Sequence, residues 1–267
     1  VRIARFASGG EVGYGIVEDQ GNGASGGQGA VLAELHGHPF GADPGSLRFT
    51  GTRYPLAEVR LLAPVLPSKV IAVDGNYPGD PDTGGQGQGE PVLFLKPSTS
   101  VAGPQDPISY PVKLTERVEQ EGELAVIIGR LCRDVPPHRA AEVIFGYACA
   151  NDVTARDLQE RDGQWTRAKG FDTFCPLGPW IETDADPSDA ELVTTVNGEV
   201  RQRARTSQMR YGVPALIAYV SQAMTLLPGD VLLTGTPPGA GPLTDGDEVS
   251  VTIEGIGTLT NRVVARD

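Results

Sequence analysis

Residues 121–129 read Glu-Gly-Glu-Leu-Ala-Val-Ile-Ile-Gly. From Leu124 to Ile128 the run is apolar without a break and ends in β-branched residues, the pattern of a buried strand. Residues two apart on a strand point to the same face, so Glu121 and Glu123 project together at its start. Two like charges side by side are costly unless something neutralises them. A hard divalent cation does this, and so does plain exposure to water, so the spacing alone leaves both readings open.

Working outward, further strand candidates are KVIAV (69–73), PVLFLK (91–96), VIFGYACAND (143–152), LVTTVNG (192–198), DVLLTG (230–235) and EVSVTIEGIGTLTNRVV (248–264). Asp152 closes one of these apolar runs, a third carboxylate at a strand end. Helix candidates are fewer: PHRAAEVIF (137–145), with a first-turn proline, and VPALIAYVSQAMTL (213–226), which stops at Pro228-Gly229. Residues 1–18 read as a hairpin, residues 21–29 and 81–90 as Gly-rich loops, and residues 30–60 carry little periodicity. The expected organisation is α+β and mainly β: a small N-terminal β-rich subdomain over 1–60 and a main domain over 61–267.

A chain of 267 residues is long enough for one large core. Its formal charge of -12 repels a phosphate backbone, which argues against nucleic-acid binding. Cys132, Cys149 and Cys175 are widely spaced and form no CxxC pair, which favours a reducing compartment. The N-terminus has no signal-peptide pattern, and the most apolar stretch, near residues 214–227, is too short and polar to span a bilayer. By elimination, a cytoplasmic protein with no membrane partner is expected.

Residues 151–180 (NDVTARDLQERDGQWTRAKGFDTFCPLGPW) are polar yet hold Trp165, Phe171, Phe174 and Trp180, as expected of a loop packed over a polar site. Lys169 lies among these aromatics, either as a surface lysine or as a cation beside a metal and an anionic substrate. LLTGTPPGAG (232–241) brings the hydroxyl of Thr236 to a strand end.

The blocks EGELAVIIGR, GYACANDVTARDLQ, GQWTRAKGFDTFCPLGPWI and LLPGDVLLTGTPPGAG, with LLAPVLPSKVIAV, the Asn76-Tyr77 pair and PVLFLKPSTSVAGP, resemble the fumarylacetoacetate hydrolase superfamily over roughly residues 55–265. The nearest branch is its single-chain bacterial group of hydroxymuconate-type isomerases, oxo-acid decarboxylases and acylpyruvate hydrolases. The resemblance implies a mixed β-sandwich roll, a Mg2+ centre (Mn2+ or Ca2+ being possible), a homodimer and a small anionic or dicarbonyl substrate. The family's acidic triad falls on Glu121, Glu123 and Asp152, and its substrate-side lysine on Lys169. Its arginine and glutamine fall on Arg156 and Gln159, its carboxylate-binding threonine on Thr236, and the tyrosine of its Asn-Tyr pair on Tyr77.

One part of the pattern departs. Family members follow Asn-Tyr with two residues and then a histidine on a short lid helix, but here Asp80 occupies that position. Pro78, Gly79 and Pro81 oppose a helix, so Asp80 is expected to be a solvent-facing group and a weak replacement for the missing base. C–C hydrolysis needs a water activated by a base, whereas tautomerisation and decarboxylation ask less. The expected activity is therefore isomerisation or decarboxylation of an enolisable 2-oxo acid or β-dicarbonyl ahead of hydrolysis. The alternatives are a cyclisation or rearrangement in specialised biosynthesis, and a ligand-binding homologue without catalysis.

Overall fold

The computed structural model describes residues 1–19, 29–40, 47–79 and 89–267. Among these, the chain is mainly β. A 12-stranded mixed sheet runs from Phe49–Pro55 at one edge to Val92–Lys96 at the other, with Gly122–Ile128 near its middle. Gly122–Ile128 pairs antiparallel with Ile144–Asn151 on one side and Val231–Leu233 on the other. Val231–Leu233 in turn pairs parallel with Val70–Asp74. A five-stranded sheet built from Glu191–Val196, Glu199–Arg205, Glu248–Ile253, Gly257–Arg266 and Ile108–Pro111 packs against the larger one.

Gly122–Ile128 is buried on both faces, which explains its unbroken apolar sequence. Leu124, Val126 and Ile128 join a cluster with Leu216, Ile217 and Val220 of the Val213–Ala223 helix and with Leu192 and Val251 of the second sheet. Ala125 and Ile127 face the other way, toward Val70, Ala72, Leu177 and Leu233. Each fully buried aliphatic side chain contributes about 1.5–3 kcal/mol, so this strand is the most heavily anchored platform available to a site.

The two sheets approach closely at Gly122. A Cβ there would stand 2.0 Å from Thr194 Oγ1, so only glycine fits between the two acidic residues.

Several local expectations are corrected. Residues 30–60 hold two strands, Val31–Leu35 and Phe49–Pro55, which extend the N-terminal hairpin. The second is a mostly exposed edge strand and so shows no alternation. The helix expected over 137–145 is a 3-10 turn, Pro137–Glu142, before the strand resumes at Ile144. The stretch 151–180, read as a loop, contains the helices Arg156–Asp162 and Thr166–Lys169. The buried residues of the first are Arg156, Leu158 and Gln159, so it lacks an apolar stripe for periodicity to reveal. No helix among the described residues is long and apolar enough to cross a membrane.

Candidate metal centre

Glu121, Glu123 and Asp152 converge, each offering a carboxylate oxygen, with those atoms all within 4.8 Å of one another. Backbone pairing creates the convergence. Asp152 N donates to Glu121 O at 2.8 Å, and the buried Asn151 side chain accepts from Glu121 N at 2.9 Å. Glu123 Oε2 accepts from Gly235 N at 2.6 Å. Gly235 holds φ +95°, and a Cβ there would meet Asn76 Cβ at 2.7 Å, so the turn needs glycine to bring its N–H to the carboxylate. The Asn76 amide locks this turn from behind, donating to Thr234 O at 2.7 Å and Tyr211 O at 3.0 Å.

The cations are as buried as the acids. Lys169 Nζ donates to Glu121 Oε2 at 2.7 Å and to Asp152 Oδ2 at 2.9 Å. It also stands 4.9 Å from the centre of the Phe94 ring, against which Trp165 packs edge-on. Arg156 donates to Glu121 Oε1 at 2.5 Å, to Glu119 Oε2 at 2.8 Å and to Gln159 Oε1 at 2.6 Å. Lys96 Nζ donates to Asp152 Oδ1 at 2.5 Å and to Val153 O at 3.2 Å.

The electrostatic consequences follow from these contacts. Burial alone would depress the Lys169 ammonium, but Asp152 and Glu121 outweigh it and hold the group well above the ordinary lysine value. With the two carboxylates ionised, Lys169 thus carries its positive charge between them. Burial raises Asp152, yet Lys169 and Lys96 overcome it and keep the carboxyl below its usual range. Glu123 is pushed well above the usual range, first by burial and then by repulsion from Asp152 and Glu121. One carboxylate of the three is thus under-neutralised by the protein.

A small cavity of about 100 Å3 opens over this cluster, walled by Arg117, Glu119, Glu121, Glu123, Arg156 and the turn 236–240. Thr236 Oγ1 donates to Gly122 O at 2.9 Å and accepts from Gln202 Nε2 at 2.8 Å, which fixes that turn over the strand. Asp152, Lys169 and Gln159 stand one layer behind the wall. Tyr77 is 1% exposed, its hydroxyl has no hydrogen-bond partner among the described residues, and burial followed by the charge of Glu123 raises its pKa.

The structure thus brings Glu121, Asp152, Lys169, Arg156 and Gln159 into one bonded network, with Glu123 within 4.8 Å of the other two acids and Thr236 on the cavity wall. Asp80 lies outside the described residues. The expectation that four aromatics cover the site is corrected. Phe171 and Phe174 pack in a separate core cluster, and Trp180 packs with Phe6 and Leu32 in the N-terminal region, donating to Ile256 O. Trp165 alone adjoins the site, through Phe94. Lys169 is also more enclosed than a substrate-facing lysine was expected to be, at 3% exposure.

Sequence reasoning missed Lys96 and Glu119. Each left a faint signal. Lys96 is the single charge closing an apolar strand, and Glu119 shares the parity of Glu121 and Glu123.

The donor set suits a hard divalent cation. It consists of carboxylate oxygens only, one of them under-neutralised, and the Lys169 ammonium already occupies the place of a cation between two of the three acids.

A mainly β fold carrying a buried acidic triad beside a lysine and an arginine defines the class, and comparison with known proteins gives the family. The Fumarylacetoacetate (FAA) hydrolase C-terminal domain matches residues 69–264, and a Rv2993c-like N-terminal domain matches residues 1–64. The chain belongs to the fumarylacetoacetate hydrolase family. It is similar to the structure of 5-carboxymethyl-2-hydroxymuconate delta-isomerase from Mycobacterium smegmatis, with 55% identity, 100% of each chain covered and a TM-score of 0.91. Maleylpyruvate hydrolase from Sphingobium sp. SYK-6, determined with manganese (II) and pyruvate, is 34% identical over 100% of each chain with a TM-score of 0.79. The mitochondrial oxaloacetate tautomerase Fahd2a of Rattus norvegicus is 43% identical over 79% of this chain and 71% of its own. The family's relatives are enzymes: an isomerase, a hydrolase and a tautomerase.

Proposed function

We propose that this chain is a divalent-metal-dependent enzyme that tautomerises or isomerises a small enolisable 2-oxo acid. The observation that carries the reading is the triad itself: three buried carboxylates within 4.8 Å, with Lys169 bridging two of them. Glu121, Glu123 and Asp152 would hold the cation, with Mg2+ as the first choice and Mn2+ or Ca2+ as substitutes. Bound there, the cation supplies positive charge against the enolate that a 2-oxo acid becomes on losing a proton.

The chain's own residues do the rest. Lys169, bonded to Glu121 and Asp152, would stand behind the triad and orient both carboxylates. Arg156 clamps Glu121 and, through Glu119 and Gln159, keeps it from rotating away. Thr236 and the turn it fixes line the cavity, where the N–H groups of Gly239 and Ala240 and a re-oriented Thr236 hydroxyl would be available to a substrate carboxylate. Tyr77, buried with an unpartnered hydroxyl beside Glu123, is a further hydrogen-bonding group for the ligand.

The relatives named above act on small organic acids by isomerisation, tautomerisation and hydrolysis, and the first two fit a site whose sequence lacks the lid histidine. A cytoplasmic homodimer completes the reading, and sedimentation velocity decides the oligomeric state.

The test is the keto–enol interconversion of oxaloacetate followed by ultraviolet absorbance. Acceleration in Mg2+ that disappears with EDTA is the expected result. Release of CO2 at a comparable rate would reassign the enzyme as a decarboxylase. No acceleration with Mg2+, Mn2+ or Ca2+ would remove the tautomerase reading.

A further inference from the structure

The cavity carries one cation that the reading above leaves without a role. Arg117 lies on its wall with its side chain 51% exposed, whereas Glu119, Glu121, Glu123, Asp152, Lys96, Arg156 and Lys169 are more than nine-tenths buried. Its Nε donates to Glu119 Oε1 at 2.7 Å, and its Nη1 reaches exposed Glu160 at 3.4 Å. The other oxygen of Glu119 accepts from Arg156. Glu119 therefore fixes two guanidiniums on one wall, Arg156 deep and Arg117 at the mouth. The opposite wall is the rigid turn 236–240, tied down through Gln202 to Pro237 O and through Gln120 to Gly239 O. Half-buried Asp74 also lines the cavity.

Charge balance gives this geometry a meaning. Around this site the buried carboxylates are Glu119, Glu121, Glu123 and Asp152, and the buried cations are Lys96, Arg156 and Lys169, an excess of one negative charge. A divalent cation turns this into an excess of one positive charge, which a single carboxylate or enolate oxygen neutralises. A second anionic group on the same ligand needs a partner of its own. Arg117 is the one cation of the lining outside the buried network, among the described residues.

We propose that Arg117 is a specificity-determining residue: it pairs with the far carboxylate of a 2-oxo dicarboxylate whose 2-oxo acid end lies at the triad. This rests on the reading of the site as a metal-dependent one for 2-oxo acids. A guanidinium anchored through one edge still presents donors from its fork, the geometry that matches a carboxylate.

The test is calorimetric binding in saturating Mg2+ of 2-oxoglutarate and of 2-oxovalerate, which have the same chain length but differ by a terminal carboxylate in place of a methyl. The wild-type chain should bind the diacid at least about tenfold more tightly, a preference that shrinks as salt rises. Arg117→Ala should abolish the preference by weakening the diacid alone, and Arg117→Lys should keep part of it. Should Arg117→Ala fold poorly, as judged by its melting curve, the lysine variant and the salt dependence of the wild type carry the test. Equal weakening of both acids in Arg117→Ala, or no diacid preference in the wild type, would overturn the proposal while leaving the metal site standing. Failure of the wild type to bind either acid with Mg2+ present would overturn the parent reading as well.

Discussion

Lys96 and Lys169 share one carboxylate: Lys96 Nζ donates to Asp152 Oδ1 at 2.5 Å, and Lys169 Nζ donates to Oδ2 at 2.9 Å. The two are not equivalent. Lys96 is bonded to Asp152 and to a backbone carbonyl, whereas Lys169 bridges Asp152 to Glu121. A metal ion can substitute for part of the charge of Lys169, but the far side of Asp152 is served by Lys96 alone. Lys96→Met should therefore cost about 3–5 kcal/mol, as expected when one partner of a buried ion pair is removed, and added Mg2+ should not restore it. Lys169→Met should lose a similar amount in EDTA and recover part of it in Mg2+. Urea denaturation of both variants with and without metal measures this, and equal recovery by the two would contradict it.

Glu123 is the acid that the protein itself neutralises least. Glu123→Gln removes a like charge beside Glu121 and Asp152, so the variant in EDTA should melt no lower than wild type. Wild type should gain stability with Mg2+ by mass action, by about 2.7 kcal/mol at a hundredfold excess over Kd, and the variant should not. A variant that retains the full metal-dependent rise in Tm would remove Glu123 from the ligand set.

Gly122→Ala should be destabilising because its methyl would stand 2.0 Å from Thr194 Oγ1. The expected cost is about 1–3 kcal/mol, with weaker metal binding because the acids on either side must shift. Thr194→Ala removes the obstructing hydroxyl, and its own oxygen has no partner to lose. A double-mutant cycle should then show a favourable coupling, and simple additivity would mean that the clash is not the cause.

Asp157 ties the segment bearing Arg117 to the Arg156–Asp162 helix, accepting from the Thr115 hydroxyl and from Glu116 N at 3.2 Å. Burial nudges its carboxyl up, but the hydrogen bonds from Thr115 and the backbone outweigh this and hold it below the usual aspartate value. A depressed carboxyl stabilises the fold above its unfolded pKa and loses that contribution as pH falls through its folded one. Asp157→Asn should cost about 1 kcal/mol at pH 7, given partial exposure, and the gap to wild type should begin to narrow near about pH 4 and close as pH falls through the lower folded value. A gap that stays constant as pH falls from about 7 to well below the lowered folded value would show that charge is not what Asp157 contributes.

By itself the sequence determined the strand at the centre of the fold, the shared face of Glu121 and Glu123, the position of Asp152 directly after its strand, and the helix over Val213–Ala223. These are local properties, because alternation and helical spacing report which way neighbouring side chains point along one backbone. Only the tertiary structure decided that Lys96, 56 residues before Asp152, completes its carboxylate, and that Glu119 joins Arg117 to Arg156 across 37 positions. It also decided that Lys169 is buried and that Gly122 is needed by a hydroxyl from another sheet. The helices over 156–169 escaped periodicity because the first buries an arginine and a glutamine in place of an apolar stripe. A buried charge is tolerated only where the fold brings it a partner, and that pairing depends on the path of the whole chain between the two residues.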